Sequence, residues 1–343
     1  MPAIEYEIYD DADYLHTCAQ LKAKEFEFLE KSRLERMIHS GSMEDFLKVL
    51  SESYYSNYIN LITPENNLDG LILKLNAEII EYLDGRLKPE HAFVPDLLMF
   101  EENIHNFKVL LKAFILKENL SSIFLPARYS YENLMEEISG QGFARIDDNT
   151  LNIAKFISSL KENQNIDLKD AEIGIEKKYI ETLYSSIKQS SGMMMLDFIK
   201  HAIDIINIKN IVRVKHAGIK IDYESFLHKN GFLEVSILKK FGNENYDSIL
   251  QALSSGDYGA IVSKGIRSLN NYETFFSFDK NEYIFYLSFF DKIKYSVANI
   301  EKIFSFFMRK KIEIKILNII YLGLLYGVEK SKIEHKVEII SEN

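Results

Sequence analysis

An all-α fold follows from three observations on this chain of 343 residues. Apolar residues recur every three to four positions over most of its length, start and stop signals sit where those stripes begin and end, and five prolines leave long stretches free to stay helical. The period-two alternation of a half-buried strand is never sustained. Hydrophobic residues make up 47% of the chain and aromatics 13%, enough apolar surface to build cores rather than a disordered polymer.

The elements follow in order. Met43, Phe46, Leu47 and Leu50 form one stripe, and Ser42 with Asp45 makes a capping-box-like start for it. Thr63-Pro64-Glu65 places an N-cap, a first-turn proline and a dipole-favourable acid ahead of the stripe Leu68, Leu71, Ile72 and Leu75. Ile180, Leu183, Tyr184 and Ile187 repeat the spacing, as do Ile300, Ile303, Phe304, Phe307 and Met308. Breaks are expected at 85–95, 125–130, 139–149, 217–223 and 256–259, where Gly, Pro and polar residues gather. The most apolar run, 316–328, contains Asn318 and two glycines and is shorter than the ~20 residues of a membrane span, so it reads as a buried helix.

A formal charge of −10 argues against nucleic-acid binding, which needs clustered Lys and Arg. The single cysteine, Cys18, excludes an internal disulfide and reads as a small buried apolar residue. The acidic opening residues lack the apolar core of a signal peptide, so a cytoplasmic protein is expected.

The chain also repeats itself. A shift of 101 residues places Ile79, Tyr82 and Leu83 on Ile180, Leu183 and Tyr184, and sets Asn103-x-x-Asn106-Phe107-Lys108 on Asp204-x-x-Asn207-Ile208-Lys209. A further shift of 111 brings Asn207 onto Asn318. Lys112 and Arg213 each follow their asparagine by six residues. Three units of about a hundred residues close into a ring or stack as a short solenoid, and periodicity does not choose between the two. A buried Asn in an apolar helix costs desolvation unless hydrogen-bonded. Asn106, Asn207 and Asn318 therefore either cross-link helices within each unit or contact a partner, and Lys112 and Arg213 point to a partner or to bulk water.

Chemistry is not encoded in any recognisable form. A nucleotide needs a Gly-rich cradle ahead of a helix, because backbone N–H groups must approach the phosphates. Gly256-x-x-Gly259 precedes Lys264-Gly265 in the wrong order for one, so no direct nucleotide binding is expected. There is no His-Glu-x-x-His, Cys-x-x-Cys or Gly-x-Ser-x-Gly pattern. His201 and His216 are too far apart along helices to share a metal, and Glu101-Glu102 and Glu136-Glu137 read as solvated helix faces. No catalytic residue, metal or cofactor is expected.

The phrase LHTCAQLKAKEFEFLEKSRLERMIHSGSMEDFLKVLSES over 15–53 resembles the start of the central-stalk linker of rotary V-type and A-type ATPases, known as the C subunit in bacteria and archaea and the d subunit in eukaryotes. In that family a long first helix leads into a second, then a Gly-Ser-x-Glu turn, matched here by Gly41, Ser42 and Glu44, and a third. Asn106-Phe107-Lys108 through Lys112, and Asn207-Ile208-Lys209 through Arg213, are similar to its Asn-hydrophobic-Lys phrases. Lys315-x-x-Asn318-Ile319-Ile320, closed by Gly327 and followed by a last helix at 331–339, is similar to its third. Gln20, Lys22, Lys112 and Ile320 stand where the family carries arginines, and Lys lacks the planar fork of Arg.

The resemblance covers 14–337 and implies three similar helical domains around a pseudo-threefold axis, forming a funnel. Divided at the repeats, these are 1–125, 126–219 and 220–343. It further implies a non-catalytic rotor component, peripheral at the membrane, whose partners are the D and F subunits of the central stalk and the proteolipid ring. Periodicity and repetition alone also allow a helical-repeat interaction scaffold unrelated to rotary ATPases, or an all-α enzyme without a familiar motif.

Overall fold

Stripes spaced for one helical face give sixteen α-helices among the described residues, and no β-strand beyond an isolated bridge between Thr63 and Asn67. The computed structural model describes residues 6–63, 67–142, 145–160, 167–190, 192–272 and 274–337. The helices are α1 (Leu15–Ala23), α2 (Lys31–Ile38), α3 (Met43–Ser51), α4 (Asp69–Leu83), α5 (Val94–Leu98) and α6 (Phe100–Leu116). Then come α7 (Tyr131–Ile138), α8 (Asp148–Ser159), α9 (Leu168–Gln189), α10 (Met193–His216) and α11 (Val235–Asn243). The chain closes with α12 (Tyr246–Leu253), α13 (Gly259–Tyr272), α14 (Phe276–Phe289), α15 (Ile300–Leu325) and α16 (Lys330–Val337).

Among the described residues, the five expected breaks are free of α-helix except for the start of α5 at Val94, the first two residues of α8 and the first of α13. The Ser42 hydroxyl accepts the Asp45 N–H at 3.1 Å and starts α3 as the capping pattern requires. Two expectations fail. The first helix is not long: α1 ends after nine residues, where 3-10 turns interrupt Lys24-Glu25-Phe26-Glu27. The helix expected at Pro64 begins instead at Asp69, and Pro64 and Glu65 lie outside the described residues.

Contacts divide the chain into two compact units, one comprising 1–75 with 250–343 and the other 76–249. In the first, the stripe of α3 buries Phe46 and Leu50 completely against Ile316, Leu317 and Ile320 of α15. The amino-terminal helices thus complete a core whose other half is the carboxy-terminal long helix. The expected stretches 1–125 and 220–343 both contribute to this unit. In the second, Leu110, Leu111, Ile175, Ile187, Ile203, Ile205 and Val212 from α6, α9 and α10 are all but fully enclosed. The apolar run 316–328 is buried only as far as Tyr321 and Gly323; α15 stops at Leu325, and Gly327 at φ +64° turns the chain with Tyr326 exposed.

Candidate functional site

Asn106 and Asn207 lie at matching places on α6 and α10, and each side-chain amide is engaged through both its oxygen and its nitrogen. Asn106 Nδ2 donates to the Leu125 carbonyl at 3.0 Å, and the Leu125 N–H donates back to Oδ1 at 2.8 Å. Asn207 does the same to His228, at 2.9 and 2.8 Å. Each amide therefore satisfies both backbone groups of one residue in the segment that leads into the next short helix, α7 or α11. The exposures of 2% and 0% leave neither amide open to a partner. This is the cross-linking geometry that a buried Asn requires.

One turn before Asn207, Asp204 is wholly buried and accepts the N–H groups of Phe232 and Leu233 at 2.9 to 3.2 Å. The loop can come this close only because residue 231 is glycine: a Cβ there would stand 2.0 Å from Asp204 Oδ1. Asp204 and Asn207 thus pin two points of the same returning strap. At the position matching Asp204, Asn103 donates to the Tyr179 hydroxyl at 2.9 Å.

In α15 the acid that plays the Asp204 part is Glu313. It is 2% exposed and accepts the N–H of Leu29, the residue before the N-cap of α2, as Asp204 accepts that of Leu233 before the N-cap of α11. Three residues on from Asp204 is Asn207; three on from Glu313 is Ile316, fully buried. Asn318 is only half-buried and makes no amide clamp among the described residues. The register pairing Lys315 with Asp204 is therefore corrected by two residues. Apolar residues recurring every three to four positions match at several offsets, and only the buried acid separates them.

Glu313 also accepts the Tyr55 hydroxyl at 2.5 Å and pairs with Lys310 at 3.2 Å. The Lys310 ammonium, 6% exposed, stands 4.7 and 4.6 Å from the Tyr54 and Tyr55 ring centres and 5.3 Å from that of Phe28. A buried cation held by a carboxylate and three ring faces fastens α15 to the amino-terminal segment. Burial, followed by the Glu313 charge, drives the Tyr55 hydroxyl well above its ordinary pKa.

Lys112 is also engaged within the chain. It pairs with Glu172 at 2.9 Å, and Lys108 pairs with Glu176 at 3.0 Å, so residues four apart on α6 face residues four apart on α9. Asn103 with Tyr179 completes an antiparallel ladder. His228 Nε2 lies 3.3 Å from Glu176 Oε1, an ion pair only when the imidazole is protonated. Burial works to raise the Glu176 carboxyl, but His228 and Lys108 together outweigh it and hold it down at about 2. Arg213 is exposed near the end of α10. Sequence reasoning missed the structural roles of Asp204, Glu313, Glu172 and Glu176. The matched four-residue spacing of Lys108 and Lys112 with Glu172 and Glu176 was the available signal for the last two.

Buried amides and acids tie long helices to the segments that lead into short ones in an all-helical protein. The chain belongs to the ATP synthase (C/AC39) subunit family, whose model matches residues 17–336. It is 25% identical over 333 residues to the C subunit of the A-type ATP synthase of Methanosphaera stadtmanae, covering 90% of this chain and 83% of the relative. A Methanocaldococcus jannaschii protein of the same name is 20% identical over 349 residues, 95% of this chain and 86% of the relative. The C subunit of the V-type sodium ATPase of Enterococcus hirae is 21% identical over 252 residues, 72% and 74% of the two chains. Membership sets aside a scaffold unrelated to rotary ATPases. Among the described residues no helix is long and apolar enough to cross a membrane; α15, at 26 residues, carries Lys310, Lys311, Glu313 and Lys315.

Proposed function

We propose that this chain is a non-catalytic rotor component of an A/V-type ATPase, a socket joining the D and F subunits of the central stalk to the proteolipid ring on the cytoplasmic face of the membrane. The observation that carries this reading is the family match over 17–336. The names of the relatives support an ATPase assembly, and the internal stitching supports a mechanical part. A coupling that transmits torque needs walls that do not yield and a complementary surface, not a reactive group. In this reading each of three repeats is a long helix, α6, α10 or α15, gripping the segment ahead of a short helix pair. The pairs are α7 with α8, α11 with α12, and α2 with α3. The third repeat is then completed by the amino-terminal helices, which refines the divisions at 125 and 219. Nucleotide chemistry and ion selection belong to other components of the assembly.

Reconstitution tests the proposal. Membrane vesicles carrying the ATPase without this chain should hydrolyse ATP but show no ATP-driven ion uptake, and adding the purified chain should restore uptake. Uptake that persists without the chain, or a purified chain that binds neither the D–F pair nor ring-containing vesicles, would overturn it.

A further inference from the structure

In the unit formed by 1–75 and 250–343, a half-open cavity of about 850 Å³ runs between α1 and the first half of α15. One wall is a single face of α15, with Lys302, Ser305, Phe306 and Arg309 at helical spacing and Glu313 at the far end, a run of about 16 Å. The facing wall on α1 carries Leu15, Cys18, Ala19 and Lys22, again one face. Cys18 and Ala19 on α1 and Ser305 on α15 are small, which leaves space between the two helix faces. A groove about three turns long between two helix faces suits a third helix packed ridge into groove.

Its rim is apolar and exposed. Leu15 and Val297, which line it, are 49% and 62% exposed. Large side chains left in water around one concavity mark an interaction surface. The charge is set against that of the chain as a whole. Lys294, Lys302 and Arg309 line the groove against Asp291, in a protein of net charge −10. The other charged groups are already engaged: Lys22 pairs with Glu25, Glu313 holds Leu29, Tyr55 and Lys310, and Asp10 beside Lys302 accepts the Val297 and Ala298 N–H groups. Arg309 lies over the Phe28 ring at 4.6 Å, its guanidinium braced at the edge.

We propose that this groove docks an amphipathic helix of a partner protein, one whose apolar stripe is flanked by carboxylates. The apolar stripe seats on Phe306, Leu15 and Val297, and the carboxylates meet Lys294, Lys302 and Arg309. Docking depends on this local chemistry alone and stands whether or not the rotor reading holds.

The test uses the full chain and two fluorescent peptides of about 18 residues, roughly five turns. Both carry leucine at one helical face; one flanks it with glutamate and the other with lysine. The acidic peptide should bind at least about tenfold more tightly by anisotropy, a difference of about 1.4 kcal/mol. Lys302→Glu combined with Arg309→Glu should reverse the preference, and Ser305→Trp should fill the groove and abolish binding of both. Lys229→Glu, in the other unit, should change nothing. Circular dichroism checks that each variant is folded, and the charge reversal alone decides the matter if Ser305→Trp does not fold. Equal binding of the two peptides, a preference unchanged by charge reversal, or self-association of the chain that Ser305→Trp abolishes would overturn the proposal.

Discussion

Asn207 holds both backbone groups of His228, giving a hydrogen bond to its carbonyl at 2.9 Å and taking one from its N–H at 2.8 Å. Asn106 holds Leu125 the same way. A two-bond amide clamp fixes the direction of the gripped segment as well as its distance. It therefore sets the angle at which the following short helix leaves.

Replacing Asn207 with Leu should destabilise the unit formed by 76–249. Two backbone groups of His228 lose their partners in a site without solvent, at about 1–3 kcal/mol for each unsatisfied group. Asn106→Leu should cost a similar amount. Chemical denaturation measures both, and Asn318→Leu, at a half-buried position without a clamp, should shift the midpoint far less. Equal losses at all three positions would remove the clamp as the cause.

Acid should weaken the same unit through Glu176. Its carboxyl is held at about 2 in the folded chain against an ordinary value of 4.5, so the unfolded state binds the proton first as pH falls. The stabilisation is complete above about pH 4.5 and is lost as pH falls toward 2, at most about 3 kcal/mol. Glu176→Gln should flatten the pH dependence of the denaturation midpoint across that window. An unchanged slope would show that Lys108 and His228 do not hold the group down.

Glu313→Ala should be among the most damaging single changes in the chain. It leaves the Lys310 ammonium buried without its carboxylate, at about 3–5 kcal/mol, and releases Leu29 and Tyr55. Lys310→Met together with Glu313→Leu should recover much of the loss, since an apolar pair of similar volume leaves no buried charge. Hydrogen exchange should show α2 opening in the single variant and staying closed in the double one.

Lys112 and Arg213, matched in sequence, should behave differently. Arg213→Ala should weaken binding of the D–F pair at low salt, by roughly tenfold at most, and the difference should fade as salt rises. Lys112→Ala should leave that binding unchanged and cost about 0.2–1 kcal/mol of stability, because its partner is Glu172. Surface plasmon resonance across a salt series separates the two; identical behaviour would put both on one surface.

The helices and their ends were legible because they depend on nearby residues. Ser42 caps α3 because its oxygen reaches an N–H three residues away, and the break after α10 follows Gly218 at φ +64°. Asn106 and Asn207 were legible as buried groups, since an amide inside an apolar stripe must find partners. Which partners it finds was not legible, because Leu125 and His228 are ordinary loop residues in sequence. Asn318 shares the letter but not the depth, being half-buried.

Periodicity along the chain decides that a face is apolar, and with it the all-α class. It does not say which other face will cover it, since many amphipathic stripes are nearly interchangeable. The folded chain makes that choice where long-range polar contacts allow a single register: Glu313 meets Tyr55 from 258 residues away and Leu29 from 284. A misplaced buried carboxylate would go unpaired at a cost of several kcal/mol, whereas a misplaced leucine would lose much less. Long-range pairing, a property of the tertiary structure, sets the register in which the two ends of the chain share one core and gives Lys112 its partner in Glu172.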